Sequence, residues 1–149
     1  MPDPSPLTLR PVTEEELPIL AGFLGEIDDQ PPMPLERARA VLARIAQHPD
    51  YTVYLAEHEG GIVGTISMIV FPVFSRGGSS EAIVEAVVIG AAHRGKGLGR
   101  LMIEETMRMA RDKGCYKLAL SSNLRRLDAH RFYDGMSFVR HGVSFSTEV

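Results

Sequence analysis

Cysteine is almost absent: Cys115 stands alone among 149 residues. One thiol cannot close a disulfide within the chain, so stability must come from a packed core, and a reducing compartment is expected. A long hydrophobic run is missing too. The longest apolar stretch, Ile62 to Phe74, is broken by Gly64, Thr65, Ser67 and Pro72. It is too short to cross a bilayer. The chain opens on a polar, proline-rich lead-in, residues 1–6, with no signal-type apolar segment. These features lead to the expectation of one cytoplasmic domain over residues 1–149 with no membrane partner. A domain of this length buries about 70% of its unfolded surface and needs neither disulfide nor metal. His48, His58, His93, His130 and His141 show no metal-ligand spacing, so no metal is expected.

Excess positive charge is also lacking. The net charge is −3, which argues against a nucleic-acid partner. Its distribution is uneven. Residues 91–131 carry ten Lys and Arg against four Asp and Glu, and the rest of the chain six against fifteen. A local positive field favours a polyanionic ligand.

The periodicities then set out the elements. Leu7 to Val12 alternates as a short strand. Thr13 with Glu16 three residues on is a capping box, opening a helix to about Ile27. Pro31, Pro32 and Pro34 break the chain before a helix from Leu35 to Gln47. Tyr51 to Glu57 and Ile62 to Val73 form a hairpin turned at Gly60-Gly61. Ala82 to Ile89 is nearly continuous Val, Ile and Ala, the pattern of a strand buried on both faces. Leu98 to Lys113 is a long helix closed by Gly114, Lys117 to Ser121 a strand, and Asp128 to Asp134 a short helix. Ser137 to Arg140 and Val143 to Thr147 complete the set as strands. Strand, long helix, strand is a right-handed βαβ unit, so the two strands should lie parallel.

Between the buried strand and the long helix runs His93-Arg94-Gly95-Lys96-Gly97-Leu98-Gly99-Arg100. Free amides at a helix start, with the positive end of its dipole, bind phosphate oxygens. Glycines allow close backbone approach, and Arg94, Lys96 and Arg100 add charge. The P-loop spacing GxxxxGK[ST] is absent, and the dinucleotide spacing GxGxxG fails at Arg100 or Met102.

The spacing present, Arg-x-x-Gly-x-Gly, resembles the coenzyme A diphosphate loop of the GNAT N-acetyltransferases. The resemblance extends along most of the chain, through Val84-Glu85-Ala86-Val87-Val88-Ile89 and through Ala129 to Phe138. Ser137 replaces a usual Gly, and Ala91 a usual Pro. Residues 121–133 are similar to those of aminoalkylphosphonate N-acetyltransferases. The resemblance implies a mixed α/β sheet of about seven strands, mostly antiparallel with a central parallel pair, and four helices. It implies acetyl-CoA as co-substrate and direct transfer of acetyl to the primary amine of a small molecule. A protein N-terminus or lysine as acceptor, and a non-catalytic acyl-CoA-binding module, are the alternatives.

By the same resemblance Arg94 to Arg100 (Arg94, Gly95, Lys96, Gly97, Leu98, Gly99 and Arg100) hold the diphosphate. The backbone of Val87, Val88 and Ile89, with Asn123, holds the pantetheine arm where the central strand splays from its neighbour. Tyr133 is the candidate general acid for the departing thiolate, since a phenol of pKa about 10 can give up its proton there. Glu85 is the candidate base, a carboxylate whose burial in an apolar strand would raise its pKa; His130 is the runner-up. Cys115 as an acetyl carrier is disfavoured, having no histidine close in sequence. The acidic run Glu26-Ile27-Asp28-Asp29 hints at a cationic acceptor, whereas Arg37, Arg39 or Arg76 would suit an anionic one. The resemblance leaves open a homodimer through the C-terminal strands.

Overall fold

The computed structural model describes residues 5–28 and 31–149. Five strands form one sheet in the order of the chain: β1 (Leu7–Pro11), β2 (Tyr51–His58), β3 (Gly61–Pro72), β4 (Ser80–Ile89) and β5 (Cys115–Ala119). Neighbours are antiparallel except β4 and β5, the parallel pair expected of the βαβ unit. Four α-helices accompany them: α1 (Leu17–Leu24), α2 (Leu35–Ile45), α3 (Leu98–Asp112) and α4 (Leu127–Gly135). The chain divides after Ala119 into two compact units. The first holds the sheet with α1, α2 and α3; the second holds α4 and the C-terminal segment.

Local chemistry explains most boundaries. Thr13 donates its N–H to Glu16 Oε1 at 3.0 Å, completing the capping box, and a 3₁₀ turn over Glu14–Glu16 leads into α1. The β2–β3 hairpin turns at Glu59 and Gly60, both at positive φ (49° and 80°), as a type I′ turn demands. Gly61 already belongs to β3 and pairs with His58, so the turn sits one residue earlier than the sequence suggested. Gly114 (φ 80°) follows the C-cap of α3 in the left-handed conformation.

Strand parity assigns the two faces. Tyr51, Val53 and Leu55 share one face with their partners Ile69, Ser67 and Thr65. On that face Val53 and Leu55 form a core with Val12, Leu17 and Leu20, against which Ala38, Leu42 and Ile45 of α2 pack. The other face carries Tyr54, Ile66, Met68, Ala82 and Val84, all buried. Helix α3 lies against β1, β4 and β5 and buries Met102, Ile103, Thr106 and Ala110. Full burial of a side chain such as Ile66 or Leu55 contributes roughly 1.5–3 kcal/mol.

Among the described residues, two expectations are corrected. The sheet has five strands and not seven, because residues 137–149 adopt no strand. Their alternating apolar residues Val139, Val143 and Phe145 stay exposed, and Ser137 at φ 66° interrupts extended backbone at the start of the segment. Alternation marks a face but supplies no partner backbone. β4 is not buried on both faces: Ala82 and Val84 are covered, whereas Ile83 and Glu85 on the α1–α2 face are exposed. Asp29, part of the acidic run, lies outside the described residues.

Candidate active site

The first unit builds its part of the site at the carboxyl end of β4. Between β3 and β4 the register slips. Thr65 to Ser67 advances two residues, while the partners Val88 to Glu85 span three. The extra residue is a bulge, and Ala86 carries its strain at φ 49°. The bulge keeps Glu85 and Val88 on the same α1–α2 face despite their odd spacing. Gly64 permits the close approach opposite: a Cβ there would lie 2.2 Å from the Val88 carbonyl oxygen.

On its other edge β4 loses its neighbour. The parallel ladder with β5 ends at the pair Ile83 and Ala119. Residues 84–89 run on with β3 alone, so the backbone groups of this stretch that face the β5 side have no ladder partner in β5. The Ile89 carbonyl is already occupied, accepting from Arg94 Nε at 3.0 Å.

The glycine turn follows. Gly95 and Gly97 sit at φ 78° and 77°, where a side chain would be strained, and a Cβ on either would meet nothing within 4 Å. Conformation and not crowding therefore calls for glycine, and the space above the turn is open. Gly97 caps α3 with no side-chain hydrogen bond, and the first turn of α3 carries no acidic residue. The amides of Leu98 and Gly99 have no intrahelical acceptor and, with the dipole, favour an anion. Lys96 is exposed with no ion pair among the described residues, and Arg100 lies 3.7 Å from Glu104. Arg94 differs: its Nη2 donates to Glu26 Oε1 at 3.0 Å. The residues present thus fit a diphosphate, with backbone amides and Lys96 as its natural ligands.

Glu85 is exposed, so the burial expected to tune it as a base is absent. It makes no ion pair among the described residues of its unit. Its charge, after desolvation, raises the pKa of the Tyr51 phenol two strands away on the same face. Cys115 is half-buried, and loss of solvation pushes its thiol pKa up, which works against a thiolate carrier.

In the second unit Tyr133 lies on α4, packed edge to face between Phe132 and Phe138, with centroids 5.1 and 5.4 Å away. Burial raises its pKa, partly opposed by the positive charge of Arg126. The phenol therefore keeps its proton to higher pH than a solvated tyrosine. Asn123 shapes the entry to α4: its Oδ1 accepts from the Arg125 N–H at 2.9 Å. His130 Nε2 donates to the Asn123 carbonyl at 2.9 Å, which leaves Nδ1 as the nitrogen that carries the lone pair. Sequence reasoning missed Glu26 as a partner of Arg94; only proximity in the fold, across 68 positions, reveals it.

A mostly antiparallel sheet with one parallel pair at its edge, and an open glycine turn leading from β4 into the following helix, is the frame of an acetyl-CoA-dependent N-acetyltransferase. The chain belongs to the Acetyltransferase (GNAT) family, whose model matches residues 17–138. It is 33% identical over 142 residues to the glucosamine 6-phosphate N-acetyltransferase of Trypanosoma brucei brucei, covering 95% of both chains. It is 32% identical to glucosamine 6-phosphate N-acetyltransferase 1 of Oryza sativa subsp. japonica, over 91% of this chain and 82% of that one. Among solved structures, a putative acetyltransferase from Agrobacterium tumefaciens superposes with a TM-score of 0.87 at 27% identity, covering 95% of this chain and 99% of that one. Acetyl-CoA is the co-substrate, and an amine takes the acetyl group. Among the described residues no helix is long and apolar enough to cross a membrane, and no group of His, Cys, Asp and Glu could hold a metal.

Proposed function

We propose that the acceptor is an amino sugar phosphate, with glucosamine 6-phosphate the first candidate, and that one cytoplasmic domain carries the activity. The observation that carries this is the 33% identity to the trypanosomal enzyme, sustained over 95% of both chains. The family model runs from residue 17 to 138, across the boundary at Ala119, in keeping with one functional domain. Glu26, the first member of the acidic run, is engaged by Arg94, which weakens the case for a cationic acceptor. Of the cations suited to a phosphate, Arg39 is paired with Glu14 at 2.8 Å and Arg76 lies over the Tyr116 ring at 5.3 Å. Arg37 has no ion pair among the described residues and is the first candidate for the phosphate.

The thioester supplies the activated acetyl group, and the chain's residues do the rest. The amides of the turn from Arg94 to Arg100, with Lys96, bind the diphosphate; the Arg94 side chain is committed to Glu26 and the Ile89 carbonyl. The backbone at Val87 and Val88 orients the pantetheine arm and donates to the thioester carbonyl as charge builds on its oxygen. Ile89 and Asn123 are further candidate ligands of that arm. Glu85, solvated and on the α1–α2 face, takes the amine proton through water. Tyr133 gives its proton to the departing thiolate. Assembly as a homodimer through the C-terminal segment belongs to the same proposal.

The test is release of free thiol from acetyl-CoA across a panel of glucosamine 6-phosphate, glucosamine and an aminoalkylphosphonate. Glucosamine 6-phosphate should exceed glucosamine in kcat/KM by about 10²-fold or more, since a charge-assisted contact is lost with the phosphate. Arg37→Ala should raise KM for the phosphorylated sugar alone. Equal rates with and without the phosphate would sink the assignment.

A further inference from the structure

The end of α1 presents Phe23 and Glu26, three residues apart and so on one side of the helix terminus. Both reach the segment that joins β4 to the glycine turn. Phe23 covers Gly90, where a Cβ would lie 2.8 Å from the ring's Cε1. Glu26 Oε1 accepts two hydrogen bonds, from the Ala91 N–H at 2.8 Å and from Arg94 Nη2 at 3.0 Å. Arg94 then donates through Nε to the Ile89 carbonyl at 3.0 Å. One carboxylate and one guanidinium thus tie the last residue of β4, the start of the 3₁₀ turn over Ala91–His93 and the first residue of the glycine motif into a single closed set of contacts.

A carboxylate just beyond a helix C-terminus stands at the unfavourable end of the dipole, so α1 alone gives no reason for Glu26. The Ala91 N–H and Arg94 do. The backbone shows what the contact replaces. Gly90 holds φ −56° and ψ 144°, the extended conformation favoured before proline, and Ala91 opens a 3₁₀ turn, where proline is tolerated. A proline at position 91 would fix this bend covalently and would offer no N–H. With alanine there, Glu26 holds the bend from outside.

We propose that Glu26 is a positioning residue for the co-substrate. Through the Ala91 N–H and Arg94 it holds the entry to the glycine turn in the geometry that presents the amides of Gly95 to Gly99 to a diphosphate. Arg94 acts as the strut of this clamp and not as a phosphate ligand. The inference rests on the reading of the turn as the diphosphate site, and it adds a residue from α1, outside the motif, to that site.

The test compares wild type, Glu26→Ala, Ala91→Pro and the double variant by calorimetric binding of coenzyme A and of pantetheine, which lacks the diphosphate. Amide hydrogen exchange at residues 95–100 is read in the unliganded proteins. Glu26→Ala should weaken coenzyme A about tenfold, leave pantetheine unchanged and speed exchange in the turn, since it removes two hydrogen bonds accepted by one carboxylate. In the double variant Ala91→Pro should restore most of the affinity and the protection that Glu26→Ala loses. Unchanged binding and exchange in Glu26→Ala would overturn the proposal. So would a loss that Ala91→Pro leaves unrepaired, because that would make Glu26 a direct ligand or a fold element. If wild type itself failed to bind coenzyme A, the diphosphate reading would fall, while exchange in the unliganded proteins would still judge the clamp.

Discussion

Tyr133 and Glu85 illustrate how far single residues can be read. Burial between Phe132 and Phe138 raises the Tyr133 pKa above the usual 10.0, so the phenol keeps its proton to higher pH than a solvated tyrosine. A general acid with that property should not limit the rate on the alkaline side. Replacing it by phenylalanine keeps the ring packing and deletes the proton, and kcat should fall by about 10²–10⁴ with little change in coenzyme A affinity. A Tyr133→Phe variant at full kcat would remove the residue from the chemistry. The position of Tyr133 was legible from the motif around it. The environment of Glu85 was not: an apolar run around a carboxylate suggests burial, yet strand parity places Glu85 on the open stretch of the α1–α2 face. Cys115 offers the converse case. Its raised thiol pKa leaves little thiolate at neutral pH, and Cys115→Ser should keep kcat within about twofold of wild type in the thiol-release assay.

At the scale of elements, the strands and helices with a buried face were legible because their apolar period is imposed by the core they meet. The βαβ unit, the capping box at Thr13 and the hairpin all appear where composition placed them, within a residue or two. The bulge in β4 was not legible, since an insertion of one residue leaves no compositional trace inside a run of Val, Ile and Ala. Gly64 is its only mark, and its meaning depends on a carbonyl supplied by another strand. This makes Gly64 a specific test of the split in the sheet. A methyl group there would meet the Val88 oxygen at 2.2 Å, and backbone cannot move aside as a side chain tip does. Gly64→Ala should destabilise the fold by about 1–3 kcal/mol in urea titration. It should also raise KM for acetyl-CoA, because relief of the clash displaces the stretch of β4 that runs beyond the β5 ladder. Gly97→Ala tests the neighbouring element. It adds the left-handed strain of a Cβ, about 1–2 kcal/mol, without touching any protein atom. Coenzyme A binding should weaken while the sheet stays intact by circular dichroism. A Gly97→Ala variant with wild-type affinity would mean that the turn does not approach its ligand closely.

For the whole molecule, one electrostatic link that joins distant parts of the chain is the cluster around Arg10. Its guanidinium on β1 donates to Glu16 beside α1, with Nη1 to Oε1 at 2.6 Å, and to Glu57 on β2, with Nε to Oε1 at 2.7 Å. Glu16 therefore serves the capping box and the tertiary fold together, and its pKa is held down at about 2 from an ordinary 4.5, first by Arg10 and then by the Thr13 N–H and hydroxyl. A depressed carboxylate stabilises the folded state above its unfolded pKa and loses that contribution as pH falls. The window here runs from about 4.5 down to about 2. Arg10 stays charged throughout, so the loss belongs to Glu16. Urea midpoints measured for wild type and Glu16→Gln should differ by a constant amount above about pH 5 and converge as pH approaches 2. A gap that persisted undiminished at pH 2 would show that the carboxylate acts by shape and hydrogen bonding alone. The capping box could be read from Thr13 and Glu16 as letters three apart. The tie from β1 to β2 could not, because 47 residues separate Arg10 from Glu57 and only the antiparallel register of β1 on β2 brings them together.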